Sequence, residues 1–468
     1  MSINNTKELL VATNILGIDI GSIKICTAMA EISDSGSLRI VAVSEDESKG
    51  IKKGSITNIE LAASSIKFAV SEIEKKSGKK YDKVIISISG KDVQESDCGY
   101  VMNIPDGEVT LKQIETAVHS AEWRAKIPQD YEIIHTLPYN FKMDEQQDYI
   151  EDPLGMNGSR LEVQTYNIAV PKSSLMNLQK ALEKAGVKAD NVVLSGYASA
   201  IATLNDDEKY LGAVVVDMGG DTCNMVVHSK NSIRHSDFLA IGSSKITSDL
   251  STVLHTSIAQ AEEIKRKFET FSIKDNELIE LPDLGEEHTT HEVDVSLIEQ
   301  IIESRIKETL MILTKFLEKS GYSQKELGAG VILTGGMTRL SCVKRLANDI
   351  FGMSARIARP AKIEGFSDID RDPAHSCAIG LCLYGAGKFT PYEIDSNRKL
   401  RYKGENLSID KNLMSIKELD LHHIHTPKGV KMDLKIDEAE AIKASIPKTK
   451  EIIINPLTKM INWFKNLF

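Results

Sequence analysis

Apolar residues along this chain fall into two periods. Short continuous runs too brief for helices read as buried strands, and stripes with apolar positions three and four apart read as helices. The run from Ala213 to Val216 ends abruptly in Asp217, Met218 and a double glycine, Gly219 and Gly220, which predicts a strand entering a tight hairpin. Residues 16–22 repeat the design with an apolar strand, Asp19, a turn at Gly21 and Ser22, and a second strand from Lys24. A third strand over 330–334 runs into Gly335, Gly336 and Met337 just before a helix.

Around these turns the pattern predicts strands at 15–20, 24–32 and 38–44, a helix over 59–76 and a strand over 83–89. A helix capped by Thr110 with Gln113 carries the stripe Leu111, Ile114, Val118 and Ala121. Strands follow at 131–143 and 163–170, then a helix over 173–185, a strand at 191–194 and a crossing helix led by residues 195–199. The plan recurs with hairpins over 213–239, a helix after Gly242 and another near Ile258. A long helix capped by Ser296 and Glu299 has Ile302, Ile306, Leu310, Leu313 and Leu317 as its core stripe. The expected fold is α/β: two duplicated halves around a cleft. The first half is 13–80 with 161–204, the second 205–268 with 329–387, and inserts occupy 81–160 and 269–328. From 388 to 455 mixed charge without a period reads as a flexible tether, in which His422, His423 and His425 read as solvated.

Composition narrows the class. A chain of 468 residues exceeds one ordinary core. A net charge of −10 with no overriding basic cluster in the folded part argues against nucleic acid as a partner. Six scattered cysteines without a Cys-x-x-Cys pair fit reduced thiols in a cytoplasm. The first 13 residues lack the apolar core of a signal peptide, and no later run reaches spanning length, so a cytoplasmic location is expected.

The turns carry the candidate chemistry. Glycines accept positive φ and hold nothing off a ligand, so the backbone N–H groups of Gly219 and Gly220 can close around a phosphate while Asp217 holds hydrated Mg²⁺. Gly335 and Gly336 can let a flat base or ribose lie against the backbone. A lone turn of this kind reads first as an ordinary β-hairpin; two facing ones imply a duplicated domain with a cleft between its halves. Glu262 and Lys265, three apart on one helical face, read on spacing alone as a surface ion pair.

In order, the three turns resemble the first phosphate, second phosphate and adenosine motifs of the actin-like ATPases. With residues 87–91, 261–265, 332–337 and 378–381 and the C-terminus, the chain resembles the FtsA family of bacterial cell-division proteins over nearly its full length. The resemblance implies an actin-like fold with an insert on each half, and ATP with Mg²⁺ between the halves. The phosphates would lie among Gly21, Ser22, Lys24, Gly219, Gly220, Asp221 and Thr222, with Asp19 and Asp217 on the metal. Glu262, Lys265, Gly335, Gly336 and Met337 would meet the nucleoside. Asp221 stands where the family's pattern has a third glycine and Asn224 where it often has Asp. A carboxylate at 221 near the terminal phosphate would repel it, which predicts at most slow ATPase activity. Implied partners are the FtsZ C-terminal peptide, other copies of the chain, later division proteins and the membrane. Arg305, matching an arginine of the family's pattern, is the candidate FtsZ contact; alone it reads equally as a solvated arginine. The implied function is an adaptor tethering the FtsZ ring to the inner face of the cell membrane at the division site. An actin-like pilus-assembly scaffold and a small-molecule kinase on the same fold are the alternatives.

Asn455 and Pro456 can start a helix over 456–468. Leu457, Met460, Ile461, Phe464, Leu467 and Phe468 share one face, with Trp463 at its margin. Such a helix is about 20 Å long against a hydrocarbon core of about 30 Å, so it is expected to lie flat in the membrane interface. The other reading is a terminal helix docked on the protein's own core.

Overall fold

The computed structural model describes residues 12–402 apart from 34–36, 146–147, 231, 271–277, 283–288 and 368–369. Most of the expected tether and the whole of the expected C-terminal helix lie outside the described residues.

The first half opens with β1 (Thr13–Ile20), β2 (Lys24–Ile32) and β3 (Leu38–Glu47), an antiparallel meander whose register sets Asp19 opposite Cys26 and Cys26 opposite Glu45. The ribbon β4 (Ile51–Lys52) and β5 (Ser55–Ile56) leads into α1 (Ile59–Ser77), where Asn58 accepts the Leu61 N–H and caps the first turn. β6 (Lys83–Ile88) pairs in parallel with β1 and with β10 (Asn191–Leu194), giving the order β10-β6-β1-β2-β3.

The insert contains β7 (Gln94–Asn103), α2 (Leu111–Trp123), β8 (Tyr131–Met143) and β9 (Arg160–Pro171). The expected Thr110–Gln113 capping box is present, and Ile114, Val118 and Ala121 are buried. Both boundaries of this insert differ from expectation. The strand at 83–88 belongs to the parent sheet, where all but its first residue is buried, as suits a strand covered on both faces. The strand expected at 163–170 as the parent's return is β9, hydrogen-bonded to β7 and β8.

After α3 (Lys172–Ala185), α4 (Ser195–Thr203) and α5 (Asp206–Leu211), the second half repeats the plan with β11 (Ala213–Met218), β12 (Cys223–Ser229) and β13 (Ser232–Leu239). Helices α6 (Ser243–Val253) and α7 (Ile258–Lys267) follow, then the hairpin β14 (Leu278–Pro282) and β15 (Thr290–Asp294) and the long α8 (Val295–Ser320). The cap of α8 is Asp294, which accepts the Ser296 N–H, and not Ser296 itself; the helix starts two residues earlier than expected because β15 runs directly into it. Its stripe Ile302, Ile306, Leu310, Leu313 and Leu317 is buried as expected.

β16 (Gly330–Thr334), α9 (Cys342–Phe351) and β17 (Ala355–Ile357) complete the sheet β13-β12-β11-β16-β17. Each half thus has a first strand antiparallel to the next and parallel to a later one: β1 with β2 and β6, β11 with β12 and β16. The fully buried α10 (Ser376–Gly385) crosses α4 at Gly380, where a Cβ would come within 1.8 Å of the Ala198 carbonyl oxygen.

The chain does not leave the fold at 388. β18 (Tyr392–Ile394) and β19 (Leu400–Tyr402) extend the insert's sheet to β19-β18-β8-β9-β7. Glu393 is fully buried there, accepting from the Tyr384 hydroxyl at 2.8 Å and from His135 Nδ1 at 2.6 Å, while His135 Nε2 accepts the Leu194 N–H at 3.1 Å. Every member of the network has a partner, which is what lets a carboxylate sit in this core.

Candidate functional site

The two predicted hairpins end in carboxylates held in the same manner. Asp19 Oδ1 accepts from the Ser87 hydroxyl at 2.8 Å, and that hydroxyl oxygen itself accepts the Ile20 N–H at 2.9 Å. Asp217 Oδ2 accepts from the Ser199 hydroxyl at 2.5 Å. Burial pushes the Asp217 carboxyl up to about 6 against the pull of the Ser199 hydrogen bond, and the Asp19 charge adds to the rise. Asp19 and Asp217 thus stand at the ends of the equivalent strands β1 and β11 of the two sheets, and the Asp19 charge is felt at Asp217. A hydrated divalent metal fits this donor set, since hard oxygen ligands suit Mg²⁺ and waters complete its shell.

Gly335 brings the third turn against the second. Its φ is +89°, and a Cβ there would lie 2.3 Å from Asp217 Oδ1, so glycine is required both by conformation and by closeness. Gly336 is open, with Ala374 Cβ 3.8 Å from its Cβ position. Met337 is 1% exposed and packs into the second half's core, so only its backbone is available to a ligand.

The second hairpin differs in detail from the expectation. Neither Gly219 nor Gly220 takes positive φ. The Gly219 N–H closes the turn on the Thr222 carbonyl at 2.8 Å, and the Gly219 and Gly220 carbonyls accept the first amides of α6, from Ser243 and Ser244, at 3.1 and 2.8 Å. Glycine at 220 is explained by approach: a Cβ there would meet Ile23 Cγ1 at 2.4 Å. Asp221 also avoids the left-handed region, and its carboxylate accepts from the Ser244 hydroxyl at the start of α6. Ser22 Oγ accepts the Gly54 N–H at 2.9 Å and so braces the first turn from outside.

Lys24 pairs with Glu45 and donates to the Ala374 carbonyl at 3.2 Å. Glu45 also receives His375 Nε2 at 2.9 Å and Arg339 at 3.6 Å, and although burial alone would raise its carboxyl, His375 and Lys24 hold it down to about 2. Cys26, Glu45 and His375 are metal-ligand types whose ligand atoms lie within 4.8 Å of one another, but the carboxylate is already committed to cations, so the group reads as an ion-pair knot.

Glu262 and Lys265 meet at 2.6 Å and share the Thr247 hydroxyl, tying α7 to α6; Lys265 Nζ also reaches the Ser243 carbonyl at 3.3 Å. Burial resists the charge on each, and their mutual bond offsets it. The pair is therefore half-buried beside the start of α6, the end that meets the Gly219–Gly220 turn, and not a loose surface pair. Arg305, by contrast, lies away from these turns and faces inward with its side chain 16% exposed. It pairs with Asp249 of α6 at 2.5 and 3.0 Å and with Glu308, which corrects the expectation of an outward guanidinium. Asn224, opposite Asp217 in the ladder, lines a cavity of about 290 Å³ together with Lys91, Glu95 and His235.

Sequence reasoning missed Ser87, Ser199 and Ile23. The serines sit in the stretches 87–91 and 195–199 that the pattern singled out, but nothing local says which hydroxyl meets which carboxylate.

Residues 214–380 match the family model for cell division protein FtsA, and residues 90–169 match that for the SHS2 domain inserted in FtsA, whose limits agree with the revised insert boundaries. The chain is 35% identical to cell division protein FtsA of Helicobacter pylori strain J99 over 97% of both chains. Against the Pseudomonas aeruginosa protein of the same name identity is 31%, over 80% of this chain and 89% of the relative. Among solved structures, the PilM-PilN type IV pilus biogenesis complex is similar with a TM-score of 0.56 at 17% identity, covering 80% of this chain and 98% of the other. That likeness bears on the fold alone, which is the actin-like ATPase fold.

Proposed function

This chain belongs to the FtsA family of cell-division proteins, and on that premise we propose that it is an ATP-binding actin-like adaptor that tethers the FtsZ ring to the cytoplasmic face of the cell membrane. The observation that supports the nucleotide part is the placement of Asp19 and Asp217 at the ends of equivalent strands, with Asp217 pushed up to about 6 by burial and by the Asp19 charge.

In this reading Asp19 and Asp217 hold Mg²⁺ through water, and the metal supplies charge neutralisation for the phosphates. Ser87 and Ser199 orient the two carboxylates. Lys24 exchanges Glu45 for a phosphate oxygen. The open backbone at Gly336 receives the nucleoside, with Glu262 and Lys265 at its ribose edge. The tail from 403 onward carries the amphipathic face of 456–468 to the membrane, and α8 with Arg305 offers its edge to the FtsZ C-terminal peptide. Because Arg305 is tied to Asp249, an acidic peptide competes with that pair instead of meeting a free charge. Self-association and contacts with later division proteins complete the adaptor role.

Co-sedimentation of the full chain with FtsZ on liposomes, with and without ATP and Mg²⁺, tests the proposal. FtsZ should reach the liposome pellet only when this protein is present, and more so with nucleotide. FtsZ remaining in the supernatant in every arm would overturn it.

A further inference from the structure

Ile23 stands at the tip of the first hairpin, between Ser22 and Lys24, 48% exposed in the cleft. Its side chain lies along the backbone of Gly220 in the opposite half: a Cβ on Gly220 would meet Ile23 Cγ1 at 2.4 Å, Cβ at 3.0 Å and Cδ1 at 3.7 Å. The two hairpins therefore meet through an apolar side chain.

We propose that Ile23 is the gate of the phosphate subsite: a nucleotide's phosphate chain has to displace this side chain from Gly220, so residue 23 sets the affinity for polyphosphates. The inference rests on the reading of the cleft as a nucleotide site.

Both backbones are braced. The Ser48 N–H donates to the Ile23 carbonyl at 3.1 Å, and the Gly54 N–H donates to Ser22 Oγ at 2.9 Å behind the turn. Across the cleft the Gly220 carbonyl is taken by the Ser244 N–H at 2.8 Å. With the hairpin backbones held, the side chain is what yields, and a β-branched residue has few χ1 positions to yield to. Phosphate oxygens need hydrogen-bond donors and metal, which methyl groups cannot supply, so the ligand gains nothing by sharing the space with Ile23. The terminal phosphates enter between the hairpins and the nucleoside lies at Gly336, so the cost falls on the phosphate end alone.

Calorimetric titration of the full chain with Mg·ATP, Mg·ADP and adenosine tests this with Ile23→Ala and Ile23→Val. Removing the half-buried apolar surface should tighten ATP binding by roughly three- to tenfold in Ile23→Ala and by less in Ile23→Val, with adenosine unchanged. ATP affinity equal to or weaker than wild type in both variants, or adenosine tightening as much as ATP, would overturn the gate. Wild-type protein that binds none of the three ligands would instead overturn the nucleotide reading, and the gate with it. Ile23→Val keeps the shape at the tip, so the test survives a folding defect in the alanine variant.

Discussion

Asp217→Asn isolates the electrostatic core of the site. In the ligand-free protein Asp217 titrates at about 6 instead of 3.8, because burial and the Asp19 charge disfavour its carboxylate. A raised acid pKa means that the unfolded chain ionises first as pH rises. The penalty is absent below about pH 4, grows through the interval and is complete above about pH 6. Two units at about 1.4 kcal/mol each give about 3 kcal/mol, reduced to about 1–2 kcal/mol because the group is partly open to cleft water. Asparagine removes the charge and retains an oxygen to accept the Ser199 hydroxyl. Ligand-free Asp217→Asn should therefore melt roughly 2–4 °C above wild type near pH 7.5, with the difference gone near pH 4. With Mg·ATP the order should reverse, because only wild type gains binding stabilisation. Differential scanning fluorimetry across pH, with and without Mg·ATP, reads both effects. A ligand-free Asn variant melting below wild type near pH 7.5, or an equal ATP-induced shift in the two proteins, would refute the reasoning.

Three further outcomes are expected. Asp221→Asn keeps a hydrogen bond to Ser244 while removing the charge, so phosphate release from ATP should be faster than in wild type; unchanged or slower release would show that the carboxylate at 221 does not repel the terminal phosphate. His235 donates to Glu95 and Asp237, and although burial alone would lower its pKa these two bonds raise it from 6.5 to about 9. Its stabilising contribution is complete below about pH 6.5 and lost as pH rises through about 9, so the melting-temperature gap between wild type and His235→Gln should be wide near pH 6.5 and close near pH 9.5. Deleting 456–468, or Phe464→Asp, should abolish flotation with anionic liposomes and the blue shift of Trp463 fluorescence while ATP binding persists; flotation of the truncated chain would place the anchor elsewhere.

The glycine turns and their flanking strands were legible because an apolar run ending in Asp and Gly has few other uses, and the structure brings all three turns to one cleft. The insert's limits were less so. A strand such as 83–88, apolar along its length, looks the same whether it pairs with the parent sheet or opens a new one, and pairing is decided by partners far along the chain. The tail strands were hidden by Glu393, a charge that reads as exposed until His135, Tyr197 and Tyr384 arrive from three other elements to satisfy it. Arg305 misled for the converse reason: an arginine that reads as solvated says nothing of Asp249 on the neighbouring helix.

Closure of the insert's sheet by β18 and β19 has a mechanical side. Force applied to the chain beyond residue 402 reaches the fold at Tyr402, whose ring stacks on Tyr392 at 4.8 Å. The two strands are antiparallel and Tyr392 is the direct partner of Tyr402, so a pull opens them like a zipper from that end. The next residue inward is Arg401, which donates to the Tyr384 carbonyl at 2.7 Å and lies over the rings of Tyr384 and Phe389. Tyr384 belongs to α10, which crosses α4 at Gly380, so tension along the tail reaches that helix crossing before it loads the sheet behind it.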